Sequence, residues 1–289
     1  MGAAAGRNRR NRDRSCRGKE RVMSVIVDTL EGTTDRVAVA IERIRTFEPE
    51  EGYYVAFSGG KDSQVALDLV ERSGVRFDAH MSLTTVDPPE VLAFVRQKYD
   101  GTVTLEKPDT SMFKLIQSNG PPTRRHRFCC KALKERGGEG RLVVTGVRAQ
   151  ESRRRAGRGM VEACKFGSGK RFLHPIIDWE DADVWEYIHG RRLAYCSLYD
   201  EGFTRLGCVM CPMGGTKQTS RHAERWPKFA AMYLRAITKF WVAREEKLSP
   251  RWASGQEMYD WWLSGKSVDK WRAGYDPDQQ GSSRRGMGE

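Results

Sequence analysis

Between residues 53 and 70 a strand pattern passes into a helix pattern through a single glycine turn. Tyr53-Tyr54-Val55-Ala56-Phe57 is β-prone, the run stops at Ser58-Gly59-Gly60, and apolar residues then recur at Val65, Leu67, Leu69 and Val70. A strand feeding a helix this directly must lay the helix back on its own sheet, which restricts the chain to layered α/β architectures. The turn also has a chemistry. Its glycines allow backbone N–H groups to approach an anion closely, and the helix start contributes partial positive charge. Lys61 can neutralise phosphate oxygens, while Ser58 and Ser63 can donate hydroxyl hydrogen bonds. Asp62 would repel a bare phosphate, so it either caps the helix or holds a magnesium ion. This is not a Walker A loop, which requires an earlier glycine four residues removed. Gly265-Lys266-Ser267 fails the same test, because position 260 is Asp, and reads as a surface loop.

The rest of the body repeats the alternation. A helix is expected over 34–47, strands over 77–83, 102–106 and 141–145, and helices over 88–99, 110–117 and 181–189, with a fifth strand over 172–177. Such alternation predicts a twisted, largely parallel sheet with helices on both faces. From about Gly215 the pattern becomes helical and aromatic, through Trp226, Phe229, Tyr233, Phe240, Trp241, Tyr259, Trp261 and Trp262, and these rings read as packing. The domain expectation is therefore a basic, disordered tail over 1–22, a nucleotide-binding body over 23–213, a helical extension over 214–275 and a second loose tail over 276–289. No run approaches the roughly 18 apolar residues of a spanning helix, so no membrane partner is expected.

The 289 residues carry a net charge of +12. Half of it lies in residues 1–22, where eight basic residues face Asp13 and Glu20. That stretch reads as a solvated tail, as translated sequence ahead of Met23, or as an arm binding nucleic acid nonspecifically. Arg124, Arg125 and Arg127, and then Arg148, Arg153, Arg154, Arg155 and Arg158, form two further basic loops. Arginine forks suit phosphate and sulfate, or a nucleic-acid backbone.

Seven cysteines, an odd number with two adjacent, argue against a disulfide framework and for a reducing, cytoplasmic chain with a metal or redox site. Cys129-Cys130 and Cys208-x-x-Cys211 could together hold zinc or a [4Fe–4S] cluster. Adjacent cysteines chelate zinc awkwardly, which favours the cluster. Cys196 is a fifth candidate, as a substitute ligand or a nearby reactive thiol. Cys16 and Cys164 receive no role.

Five stretches, in order, carry a family resemblance. Ser58-Gly59-Gly60-Lys61-Asp62-Ser63 resembles the PP-loop of ATP pyrophosphatases. Arg127 to Lys134, Thr145 to Ser152, His174 to Trp179 with Asp183-Val184-Trp185, and Leu198 to Cys211 narrow the resemblance to the 3′-phosphoadenylylsulfate (PAPS) reductase family, over roughly Tyr53 to Pro212. The resemblance implies an adenine nucleotide α-hydrolase-like fold with the nucleotide at the C-terminal ends of the strands. It implies nucleotide contacts from Ser58, Gly59, Gly60, Lys61, Asp62, Ser63, Gly146 and Arg148, with Lys61, Asp62 and Arg148 acting in catalysis. It also implies a [4Fe–4S] cluster on Cys129, Cys130, Cys208 and Cys211.

Two departures shape the expected reaction. The family's reductases attack their substrate with a C-terminal cysteine, whereas nothing after Cys211, as far as Glu289, is a cysteine. They usually carry a degenerate loop, whereas this chain keeps it whole. Both favour an ATP-using, magnesium-assisted adenylation coupled to sulfur transfer, resembling DNA-phosphorothioation and tRNA-thiolating proteins. A sulfur donor, and nucleic acid on the arginine loops, are then the expected partners. The alternatives are sulfite release from PAPS or its unphosphorylated analogue with a thiol reductant, a non-catalytic nucleotide-binding module, or a nucleic-acid binder. A homodimer is compatible with each.

Overall fold

In this computed structural model a β-hairpin precedes the first helix, and the residues described are 25–29, 32–164 and 169–274. The tails expected over 1–22 and 276–289, and Cys16, lie outside them. The hairpin consists of β1 (Ile26–Thr29) and β2 (Gly32–Asp35). It leads into α1 (Arg36–Thr46), whose first amides are capped by the Asp35 carboxylate, accepting from Val37 and Ala38 at 2.9 and 3.3 Å.

The main sheet begins with β3 (Tyr53–Ala56) and continues with β4 (Phe77–Ser82), β5 (Val103–Glu106), β6 (Leu142–Val144), β7 (Val161–Ala163) and β8 (Arg171–Leu173). Their spatial order is β5-β4-β3-β6-β8-β7. All neighbours are parallel except the edge pair β7 and β8. Tyr53, Tyr54 and Val55 are all buried, as a strand covered on both faces requires. After β3 the chain runs through α2 (Lys61–Ser73), β4, α3 (Pro89–Lys98) and β5 toward one edge. It then returns through α4 (Met112–Asn119) to place β6 on the other side of β3. The strand order therefore reverses between β3 and β6, and ligands of open α/β sheets bind in the crevice beyond the strand ends at such a point. The loops leaving these two strands are 57–60 and 145–148.

α2 is buried along most of its length and packs against α1 and α6 (Asp181–Arg191). Leu67 and Leu69 are buried in the same hydrophobic core as Val55, Ile176 and Trp179. Truncating Leu67 to Ala should cost about 2–5 kcal/mol, since the space cannot refill.

The helical C-terminal region is α7 (Thr216–Arg225), α8 (Pro227–Val242), α9 (Glu245–Leu248), α10 (Gly255–Ser264) and α11 (Val268–Arg272), with the short α5 (Arg153–Ala156) lying earlier, before β7. α8 packs on both α4 and α10, and its aromatics join the same hydrophobic core as the sheet. The Tyr233 hydroxyl donates to the Val209 carbonyl at 3.1 Å, and the Trp262 indole N–H donates to the Pro122 carbonyl at 2.6 Å. The expected packing role of these rings holds for Trp226, Tyr233, Trp241, Tyr259 and Trp262, all buried. Among the described residues no helix is long and apolar enough to cross a membrane.

Three features were not anticipated from sequence: the β1–β2 hairpin, the antiparallel edge strand β7 and a π-helical turn at Cys130–Lys134. The strand expected over 172–177 ends at Leu173. Pro175 cannot continue the ladder, and the chain turns back through Ile177 N–H to the His174 carbonyl at 3.2 Å.

Candidate active site

The loop after β3 and the loop after β6 meet with almost no space between them. Gly59 has φ +72°, and a Cβ there would lie 2.7 Å from Val91, so only glycine fits. A Cβ on Gly146 would lie 2.4 Å from the Asp62 carbonyl oxygen. The second loop therefore rests directly on the first turn of α2.

Within the first loop, Ser63 ties the turn together. Its hydroxyl accepts from the Ser58 amide at 3.2 Å and donates to the Gly60 carbonyl at 2.8 Å, and the Ser58 hydroxyl lies 3.1 Å away. Gly60 stands at the N-cap of α2 and has no side chain with which to cap it. Of its first amides, Lys61 N–H donates to the Tyr199 hydroxyl at 2.9 Å.

The charges over the loop form a closed square. Lys61 Nζ lies 3.2 Å from Asp62 Oδ2 and 2.8 Å from Asp181 Oδ1. Arg148 places Nε 2.5 Å from Asp62 Oδ1 and a terminal nitrogen 2.8 Å from Asp181 Oδ1. The Arg148 fork also reaches Gln150 Oε1 at 3.2 Å and the Trp179 carbonyl at 3.4 Å. Both cations are only 3% exposed. Burial pushes the Asp181 carboxyl up, but Lys61 and Arg148 outweigh it and hold it below the usual carboxylate range. Asp62 is thus an anchor for Arg148 rather than a helix cap. Each carboxylate is already shared by two cations, so the loop offers no free carboxylate for magnesium.

A second arginine group adjoins the square. Burial, and then the neighbouring Arg205 and Arg158, pull the Arg155 guanidinium down to about 10, with Asp62 and Arg148 in the same electrostatic neighbourhood. Arg155 is braced by Glu151, and Arg158 by Glu162. Arg153 and Arg154 of the same run are exposed.

Four of the thiols collect together in the fold. Cys130 opens the π-turn, a distortion common at functional positions. The Cys129 thiol hydrogen-bonds to Cys130, and with the Arg127 guanidinium 3.4 Å away this pulls Cys130 down to about 5. That same bond pushes Cys129 up, helped by burial and by the proximity of Cys130, Cys208 and Cys211. Burial and then Cys208 raise Cys211, which also feels Cys130. Cys208 donates to Thr84 Oγ1 at 3.5 Å, and the Thr84 hydroxyl donates to Asp87 at 2.8 Å. The Lys134 ammonium is raised, first by the proximity of Cys208, to which it also hydrogen-bonds. The pairs that lie 78 residues apart thus share one electrostatic neighbourhood. Cys196 is buried elsewhere: burial raises it, with Glu90, Glu201 and Asp200 as its charged neighbours.

Four thiols flanked by Arg127 and Lys134, with the Arg127 Nε buried and unpartnered, fit an anionic iron–sulfur cluster better than a lone ion. Among the described residues, no three His, Cys, Asp or Glu groups converge tightly enough for a single metal ion. A cleft of about 740 Å³ between α1, α2 and Arg191 lies toward the opposite end of α2, and is lined by charges of both signs.

From sequence, Tyr199 lies within one of the family-like stretches and Asp181 opens the helix expected over 181–189, with no role for either. The acidic helix start was the available signal for Asp181. For Tyr199 there was none, since its partner is 138 residues away.

The chain was compared with known proteins. An uncharacterized protein of Methanocaldococcus jannaschii is 30% identical over 68% of this chain and 50% of its own length. A second protein from that organism is 25% identical over 81% of this chain and 51% of its own. The chain thus spans about half the length of these two curated relatives. The adenosine 5′-phosphosulfate reductase of Oceanobacillus iheyensis is 26% identical over 59% of this chain and 75% of its own. Among solved structures, the phosphoadenylyl-sulfate reductase of Candida auris, in a phosphate complex, aligns over 60% of this chain and 89% of its own, at 20% identity and a TM-score of 0.47. Residues 52–214, which hold both loops and all four clustered thiols, match the phosphoadenosine phosphosulfate reductase domain, and the chain belongs to that family.

Proposed function

We propose that this protein binds ATP on the 58–63 loop, transfers its adenylyl group to an acceptor oxygen, and passes sulfur to the activated acceptor. In the first step the acceptor oxygen bonds to the α-phosphorus and the bond to the β-phosphate oxygen breaks, so pyrophosphate leaves. In the second, a hydrosulfide-equivalent donor bonds to the acceptor carbon and AMP departs with the former acceptor oxygen.

One observation carries this reading: Lys61 and Arg148, both buried, converge on the start of α2, where the N-cap is a glycine. Charge accumulates on the leaving pyrophosphate, and pre-placed cations stabilise it without reorganising at the moment of reaction. Asp62 and Asp181 hold the cations in position. Cys129, Cys130, Cys208 and Cys211 would hold a [4Fe–4S] cluster, which supplies a site for binding or relaying sulfur. The arginines at 153, 154, 155, 158 and 205 suit an anionic acceptor such as a nucleic acid. Anaerobically purified protein should release pyrophosphate from ATP when given the acceptor, and Lys61→Ala should lower that release at least about a hundredfold. No ATP turnover with any acceptor, together with sulfite release from PAPS, would reverse the assignment.

A second reading, thiol-dependent sulfite release from an adenylyl sulfate, is favoured by the placement of Cys196 beside Tyr199, whose hydroxyl sits on the loop. Loss of sulfite release in Cys196→Ser would support it.

A further inference from the structure

His174 follows β8 at its C-terminal end and is fully buried, with both ring nitrogens engaged. Nδ1 lies 2.7 Å from Thr145 Oγ1, and Nε2 lies 3.3 Å from Glu162 Oε1. The direction of these bonds follows from proton counting. Burial raises Glu162, but Arg158 and then His174 outweigh it and keep the carboxyl ionised. A carboxylate only accepts, so the ring hydrogen belongs on Nε2. Burial, assisted by Arg158 and Arg155, keeps the imidazole neutral, which leaves Nδ1 bare. Thr145 must then donate its hydroxyl hydrogen to Nδ1. Its oxygen is left with lone pairs only.

Thr145 immediately follows β6 at the point where strand order reverses, is only partly buried, and precedes the glycine that touches Asp62 and Ser63. An acceptor-only oxygen is mismatched to phosphate, whose oxygens also accept. It matches a hydroxyl. In an adenine nucleotide the hydroxyls nearest the phosphates are those of the ribose. We propose that Thr145, oriented by His174 and Glu162, accepts a hydrogen bond from a ribose hydroxyl and so selects nucleotides with an unmodified ribose over those carrying a ribose phosphate. This rests on the nucleotide reading above and deepens it: ATP or an unphosphorylated adenylyl sulfate would fit, and PAPS, phosphorylated at the ribose 3′ position, would not. Thr145 is the contact residue, and His174 and Glu162 are positioning residues.

Calorimetric titration of the full chain with ATP, 2′-deoxy-ATP and 3′-deoxy-ATP tests the contact. The wild type should bind one deoxy analogue about tenfold more weakly than ATP, the cost of one lost hydrogen bond at a partly buried site. It should also prefer AMP to adenosine 3′,5′-bisphosphate. Thr145→Val should remove the deoxy discrimination, whereas Thr145→Ser should keep it. His174→Phe, which frees the Thr145 hydrogen, should narrow the preference for AMP. Equal wild-type affinity for ATP and both deoxy analogues would overturn the inference, as would an unchanged ratio in Thr145→Val. The wild-type series decides the matter even if a variant fails to fold. Pyrophosphate release with flat ratios would overturn this inference alone, whereas failure of every adenine nucleotide to bind would overturn both readings.

Discussion

The backbone amide of Lys61 donates to the hydroxyl of Tyr199 at 2.9 Å, placing a phenol oxygen on an amide that a helix N-terminus would otherwise turn toward an anion. Tyr199 is held there by Trp185, whose ring meets it edge-on with centroids 5.1 Å apart. Tyr199→Phe keeps the ring and removes the oxygen. The free protein should lose about 1–2 kcal/mol, since the amide is left unpaired. Nucleotide, which can pair with it, should bind several-fold more tightly. Thermal unfolding with and without ATP reads both effects, and an unchanged midpoint in the free protein would mean the bond contributes nothing.

Arg148→Lys retains the charge but cannot reach Asp62, Asp181 and the Trp179 carbonyl at once. Stability should fall by roughly 1–3 kcal/mol, as one carboxylate loses one of its two cations and the Trp179 carbonyl its donor. Pyrophosphate release should fall further than ATP affinity. Chemical denaturation and single-turnover kinetics separate the two.

Anaerobically purified protein should be brown and contain about four irons per chain. Serine at Cys129, Cys130, Cys208 or Cys211 should each abolish or sharply reduce the iron count, while Cys196→Ser leaves it intact. Colourless wild-type protein containing zinc would refute the cluster assignment.

His222 is buried and its Nδ1 accepts from the Met210 amide at 2.9 Å, in a turn where Met210 has φ +56°. Burial, then Arg221, lowers its pKa from 6.5 to about 4. Because the folded state binds the proton less readily than the unfolded chain, this group's contribution is fully present above pH 6.5 and is lost as pH falls toward 4. The loss is at most about 3.5 kcal/mol, at roughly 1.4 kcal/mol per pH unit. Urea unfolding across that window should show the slope in the wild type and a flatter one in His222→Gln. Equal slopes would assign the pH dependence to other groups.

Much of the fold was legible because its signals are local. The turn at Ser58-Gly59-Gly60 marks the junction of β3 and α2, and helix and strand periodicities located most of the elements within a few residues. β7 was hidden, because three edge residues with Val161 exposed carry no hydrophobic alternation to detect. The π-turn was hidden as well, since one extra residue per turn leaves no composition signal.

The sequence by itself determined the layered α/β class, the anion-seeking loop and the supply of thiols and arginines, because each depends on residues adjacent in the chain. Only the tertiary structure decided how these act together. It turned Asp62 into the anchor of Arg148, set Tyr199 on the Lys61 amide, joined Thr145 to His174, and brought Cys129 and Cys130 to Cys208 and Cys211 while leaving Cys196 apart. Those relationships come from a reversal of strand order that brings distant loops to one crevice. A side chain's partner across 100 residues is set by packing, which no local pattern encodes.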